Sequence, residues 1–139
     1  MTQEQQARNL PVVEEFRANG GVVGGGLDGV PVLLLHHTGA KSGAAYVAPL
    51  AYIPDGPNWV VVAANGGRET NPGWYHNLLA NPETVIEVGT DTRRVKARVA
   101  AGTEHDVLTQ RLLHETKYFR GFAERTDRRI PVFVLEPQD

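Results

Sequence analysis

The chain has 139 residues, 41% of them hydrophobic, with a formal net charge of -2 and no cysteine. That length suits one compact domain over residues 1–139, and the near-neutral charge gives no global attraction to nucleic acid or an anionic membrane. Without thiols there are no disulfides, no thiolate nucleophile and no sulfur-ligated zinc, as suits a cytoplasmic protein.

Residues 1–6 are polar and lack the basic-then-apolar layout of a secretion signal, and no apolar run nears the roughly 20 residues of a membrane span. Residues 1–20 read as an N-terminal helical segment. Its helix covers 11–17, with Pro11 at the first position and Gly20 and Gly21 closing it. Val12, Val13 and Phe16 share a face that packs on the body or, alternatively, touches a membrane peripherally. A glycine-rich run leads to an apolar strand at 30–37, buried on both faces, and a turn at 38–43.

Strands follow at 46–53 and 58–64, joined by the hairpin residues Pro54, Asp55, Gly56 and Pro57. Residues 71–82 read as a short helix with Asn71 as cap, Pro72 in the first position, and Asn81 with Pro82 as its stop. Trp74 lies one turn from Leu78 and Tyr75 one turn from Leu79, so at least one of these pairs is core. Strands at 84–88 and 92–100 flank a turn at 89–91. In the second, Val95, Ala97 and Val99 alternate with Arg94, Lys96 and Arg98, giving one core face and one wet face. Thr103 opens a helix running to about Tyr118, a looser helical piece continues to Glu124, and 130–135 is the last strand. Because hairpins dominate, the pattern is α+β and mainly β: an antiparallel sheet curled into a small barrel with helices at its ends.

Several chemistries are excluded. Gly24, Gly26 and Gly29 have dinucleotide-fingerprint spacing, but a proline and a strand follow where that motif needs a helix. The string around Lys41 and Ser42 lacks the upstream glycine of a P-loop. His36 and His37 point to opposite faces of a strand, His105 and His114 to opposite faces of a helix, so no metal site is pre-arranged. No serine has an elbow context and no carboxylate pair stands out. Two candidates remain: the 38–43 turn, whose amides, Ser42 hydroxyl and Lys41 ammonium can hold an anion, and the 71–82 helix start, whose amides aim toward residues 63–67.

From about Phe16 to Pro137 the chain resembles the deazaflavin-dependent nitroreductase family, actinobacterial split-barrel proteins that use coenzyme F-420. The resemblance runs through FRANGG at 16–21, Leu34 and Leu35 with TGAKSG at 38–43, Pro49 with Leu50, Gly66 with Gly67, Asn71 and Pro72 with Trp74, Tyr75, Asn77 and Leu78, ANP at 80–82 and TDRRIP at 126–131. It implies a flavin-reductase-like split β-barrel with a groove for the deazaflavin. Ala40, Lys41, Ser42 and Gly43 would meet its phosphate and acidic tail. Tyr46, Val47, Ala48, Pro49 and Leu50 would line the groove. Ala63, Ala64, Asn65, Gly66 and Gly67 would meet the ring, and Gly73, Trp74, Tyr75 and Asn77 would close over it. The implied reaction is hydride transfer from the reduced deazaflavin to a small-molecule acceptor such as a quinone, a nitroaromatic or another activated unsaturated compound.

The chain departs from its relatives at two places. Basic charge is thinned, with Ala40 beside Lys41, Tyr46 where an arginine is common and Asn65 where a lysine can sit, leaving Lys41 and Arg68 near the tail. In the C-terminal helix Phe119 stands where relatives present a tyrosine to the acceptor, and Tyr118 is turned from it by about 100°. Tyr118 and Phe119 are therefore candidates for acceptor wall or proton donor, with Phe122 as further apolar wall. An FMN-binding split-barrel oxidoreductase and a non-catalytic carrier of deazaflavin or another hydrophobic ligand are the competing readings, and either a monomer or a homodimer is compatible.

Overall fold

The computed structural model describes residues 3–24 and 29–138, with side chains from Gln6 onward. Residues 25–28, which include Gly26 of the glycine fingerprint, lie outside the described residues. Helix α1 (Gln3–Ala18) is followed by strands β1 (Val32–Thr38), β2 (Ala45–Ala51), β3 (Ile53–Asp55) and β4 (Asn58–Val62). Helix α2 (Gly73–Ala80), strands β5 (Glu83–Val88) and β6 (Asp91–Val99), helices α3 (Gly102–Glu115) and α4 (Lys117–Glu124), and strand β7 (Val132–Pro137) complete the order.

All seven strands join one sheet in the order β2-β1-β5-β6-β7-β4-β3, and every paired neighbour is antiparallel. Its two edges, β2 and β3, are separated along the chain by Tyr52 alone, whose amide still donates to the Pro31 carbonyl at 3.1 Å. A sheet whose opposite edges belong to one bent segment must curl, and this closure gives the antiparallel split barrel. The expected single strand at 46–53 is thus broken. Its end turns to pair with β4 (Ile53 opposite Val60), and Gly56, at φ 59°, makes the tight hairpin beyond it.

Alternating side chains along β1, β4 and β7 build two layers at once. Leu33, Leu35, Val61, Phe133 and Leu135 fill the barrel interior with Ile86, Val95, Trp74 and Leu78. On the outer faces Val32 and Leu34 meet Val13 and Phe16 of α1, while Val60, Val132 and Val134 meet Leu108 and Leu112 of α3 and Phe119 of α4. Val13 and Phe16 are therefore occupied by the barrel. The end of α1 is pinned by Arg17, which donates to both oxygens of Glu87 at 3.1 and 2.8 Å, with the His36 ring 2.7 Å from the same carboxylate. No described helix is long and apolar enough to cross a membrane.

Local chemistry moved several boundaries. α1 runs through Pro11 rather than starting there, despite the missing N–H. Pro31 and Pro131 stand just before β1 and β7 instead of inside them, because neither can donate to a ladder. Pro72 is the N-cap of α2, and Asn71 makes no cap, since its side-chain oxygen accepts from Arg128. Ala101, not Thr103, caps α3. Thr116 opens α4, its hydroxyl accepting from the Phe119 amide at 2.9 Å. Val99, expected on the core face, is exposed, while Ala100 turns inward against α3.

Candidate functional site: a two-part groove beside α2

The β1–β2 turn folds over the start of α2. Within it Gly39 donates to the Ala44 carbonyl at 2.8 Å, Gly43 to the Gly39 carbonyl at 2.9 Å and the Ala44 amide to the Ser42 hydroxyl at 3.1 Å. The Ala40 amide donates to the Asn77 side-chain oxygen at 2.9 Å. Those bonds leave the Lys41 and Ser42 amides without a partner among the described residues, beside the exposed Lys41 ammonium. Two free amides, a hydroxyl proton and a cation make an anion-binding concavity. It opens on a cavity of about 500 Å³ lined by Gly39, Ala40, Lys41, Ser42, Tyr46, Gly73, His76 and Asn77.

Asn77 holds this corner in place. Its amide nitrogen lies 2.9 Å from His37 Nδ1, which accepts, so that the His37 proton sits on Nε2. His37 is buried and stacks on Tyr46 with centroids 5.4 Å apart. Burial depresses its pKa to about 4, and the ring stays neutral. One chain of contacts therefore joins the barrel interior, α2 and the anion turn.

A second cavity, of about 410 Å³, meets the first at Gly73. Its walls are Ala48, Pro49, Leu50 and Ala51 of β2, Val62 of β4, Ala64, Asn65, Gly66 and Arg68, Pro72, Gly73 and Trp74 at the start of α2, and Tyr118 and Phe122 of α4. Asn9 of α1 also reaches it. Trp74 is both core and wall: it is only 4% exposed and packs on Phe133 with centroids 5.5 Å apart, yet borders the cavity. The shape is an apolar slot joined through a glycine to an anion corner, fit for a flat ring with a charged tail.

A third cavity, of about 470 Å³, shares Ala51, Val62, Tyr118 and Phe122 with the ring-sized slot. Val30, Pro31, Ile53, Val60, Leu112 and Phe119 make it largely apolar.

Comparison with known proteins decides what this groove belongs to. Residues 8–137 match the model of the F420H(2)-dependent quinone reductase family. The chain belongs to that family. A Mycobacterium tuberculosis protein named as a candidate F420H(2)-dependent quinone reductase is 45% identical over 109 residues, covering 78% of this chain and 92% of its own. A solved F420-H2 dependent reductase superposes with a TM-score of 0.69 at 32% identity, covering 76% of this chain and 94% of its own. A further structure, described as a domain-swapped dimer, gives 0.70 at 30% identity over 94% of this chain and 96% of its own.

Membership in the quinone reductase family agrees with the expected fold, with coenzyme F-420 as cofactor and with reductase chemistry. Most residues expected to face the cofactor do border the groove: Ala40, Lys41, Ser42, Tyr46, Ala48, Pro49, Leu50, Ala64, Asn65, Gly66, Gly73, Trp74 and Asn77. Five do not line it. Gly43 closes the anion turn at φ 72°. Val47 faces α1, Ala63 is interior, Gly67 packs on α4, and Tyr75 stacks edge-on against Phe133. In α4, Tyr118 borders both the ring slot and the third cavity, whereas Phe119 is buried and borders only the latter. Arg68, expected near the tail, borders the ring slot instead. His76 at the anion corner and Asn9 at the slot went unread, because the turn of each helix relative to the barrel is set by distant strands.

Proposed function

We propose that this protein passes a hydride from reduced coenzyme F-420 to a quinone, holding the tricyclic ring in the slot beside Trp74 and the anionic tail at the Lys41 corner. The observation that carries the reading is the junction at Gly73, where the apolar slot and the anion concavity become one continuous groove. With no side chain at that position, backbone and ligand can approach closely. The start of α2 adds unpaired amides on the side of an anion.

The bound deazaflavin supplies two-electron hydride chemistry, since carbon replaces the central flavin nitrogen. The chain's own part is to orient and exclude water: Pro49, Leu50, Trp74 and Phe122 wall the slot, and the neutral His37 and Asn77 keep the anion turn in register. The acceptor enters from the third cavity, along the Tyr118 and Phe122 edge it shares with the ring slot. Tyr118 lines both spaces, which supports it as the group that gives the proton the reduced acceptor takes up. The family name and the M. tuberculosis relative support the quinone as acceptor. The domain-swapped neighbour supports a homodimer as the assembly to look for first.

Following oxidation of reduced deazaflavin with and without menadione tests this reading. Acceptor-dependent oxidation is expected. Tight binding with no oxidation across quinones, nitroaromatics and conjugated carbonyls would make the protein a carrier, and binding of FMN in place of deazaflavin would make it an FMN-dependent oxidoreductase.

A further inference from the structure

Arg128 lines neither the ring slot nor the anion corner, yet it has the richest set of side-chain contacts near them. Its Nε donates to the Arg68 carbonyl at 2.8 Å and its Nη1 to the Asn71 side-chain oxygen at 2.7 Å. Its Nη2 lies 2.9, 3.0 and 3.2 Å from the carbonyls of Ala63, Ala64 and Thr70. One guanidinium thus grips both ends of residues 63–71, the segment that leaves β4, borders the ring slot through Ala64, Asn65, Gly66 and Arg68, and enters α2.

That segment needs outside support. Asn65 has φ 52°, the one positive value at a non-glycine among the described residues, and Gly66 and Gly67 follow at 67° and 86°. Gly66 and Gly67 take this backbone freely, but the left-handed Asn65 is costly for a residue with a side chain to hold by itself. The segment's own bonds are few: Gly67 to the Ala64 carbonyl at 3.0 Å, Arg68 to the Asn65 carbonyl at 3.2 Å, and the Asn65 side chain to the Thr70 carbonyl at 3.0 Å and hydroxyl at 3.4 Å. A planar fork with five donors spread over three nitrogens can span these acceptors, which the three donors on a lysine's single nitrogen can do only in part.

Charge gives the contact a second consequence. All five acceptors are neutral, so no carboxylate within this set cancels the guanidinium charge. Bonding to the Ala64 carbonyl polarises the peptide unit whose other end is the Asn65 N–H, an amide with no partner among the described residues. A strengthened donor on a residue that borders the ring slot suits a heteroatom-rich ring.

We infer that Arg128 is a positioning residue, which holds residues 63–71 in their ring-binding form and sharpens the Asn65 amide as a donor to the bound ring. The inference rests on the proposed cofactor groove, and its test separates the two. Arg128→Met and Arg128→Lys are made in the full chain. In unliganded protein, amide exchange across residues 64–71 is expected to rise about tenfold in Arg128→Met, with amides in β6 and α3 unchanged and Arg128→Lys between the two. Affinity for oxidised deazaflavin and menadione-dependent turnover are expected to fall about tenfold in Arg128→Met, partly restored by Arg128→Lys or by added guanidinium ion. Should Arg128→Met not fold, the lysine variant carries both comparisons. Unchanged exchange in the segment, exchange raised uniformly through the molecule, or unchanged affinity and turnover would overturn the inference. Wild-type protein that binds no deazaflavin would overturn the cofactor groove and the donor role together, and the exchange arm would then decide the clamp by itself.

Discussion

Asn77 ties the anion turn, the barrel interior and α2 together through one side chain. It was legible as a site residue only through the resemblance, and its role is a matter of register: His37 faces Tyr46 across β1 and β2, which puts an imidazole and the Ala40 amide on either side of one carboxamide. Lys41 is the exposed cation at that corner, and Lys41→Ala should weaken deazaflavin binding several-fold in a fluorescence titration. Tyr118 carries the proposed proton transfer. Tyr118→Phe should lower menadione-dependent turnover about a hundredfold while leaving deazaflavin affinity within about twofold, as expected for loss of a general acid. Unchanged turnover would return the proton to solvent.

Among the elements, what could be read was whatever depends on near neighbours. Leucine and valine on both faces marked β1 as doubly buried, and both proved true: Leu33 and Leu35 point inward, Val32 and Leu34 meet α1. The bend at Tyr52 could not be read, because it follows from β3 pairing with β4 while β2 pairs with β1. Arg128 was hidden for the same reason, since its acceptors lie 57 to 65 residues earlier and four are backbone carbonyls. Gly67 joins the ring-facing segment to α4: at φ 86°, an added Cβ would sit 2.7 Å from Arg125 Cβ and 3.0 Å from the Phe122 carbonyl. Gly67→Ala should therefore cost about 1–3 kcal/mol in chemical denaturation and weaken deazaflavin binding, because the segment must lift from the helix. An equally stable variant with native affinity would contradict that coupling.

Across the whole molecule, one buried group links stability to pH. His37 has a folded pKa of about 4 against an ordinary 6.5, so between these values the unfolded chain binds more protons than the folded one. Its contribution is complete above pH 6.5 and is lost as pH falls toward 4, amounting to about 3 kcal/mol. Arg17 holds the Glu87 carboxyl, and Arg98 the Glu104 carboxyl, below the usual carboxylate range, so their losses come at lower pH. Denaturation midpoints should already decline from pH 6.5 to 4.5 in the wild type, and His37→Gln should flatten that decline. His37 also backs the groove through Asn77 and Tyr46, and while the groove's general form followed from the family resemblance, its junction at Gly73 did not. The decisive measurement is titration of the purified protein with oxidised coenzyme F-420 and, in parallel, FMN, followed by fluorescence. Saturable quenching with the deazaflavin, weaker for FMN, is the predicted result; no saturable change with the deazaflavin would contradict the account.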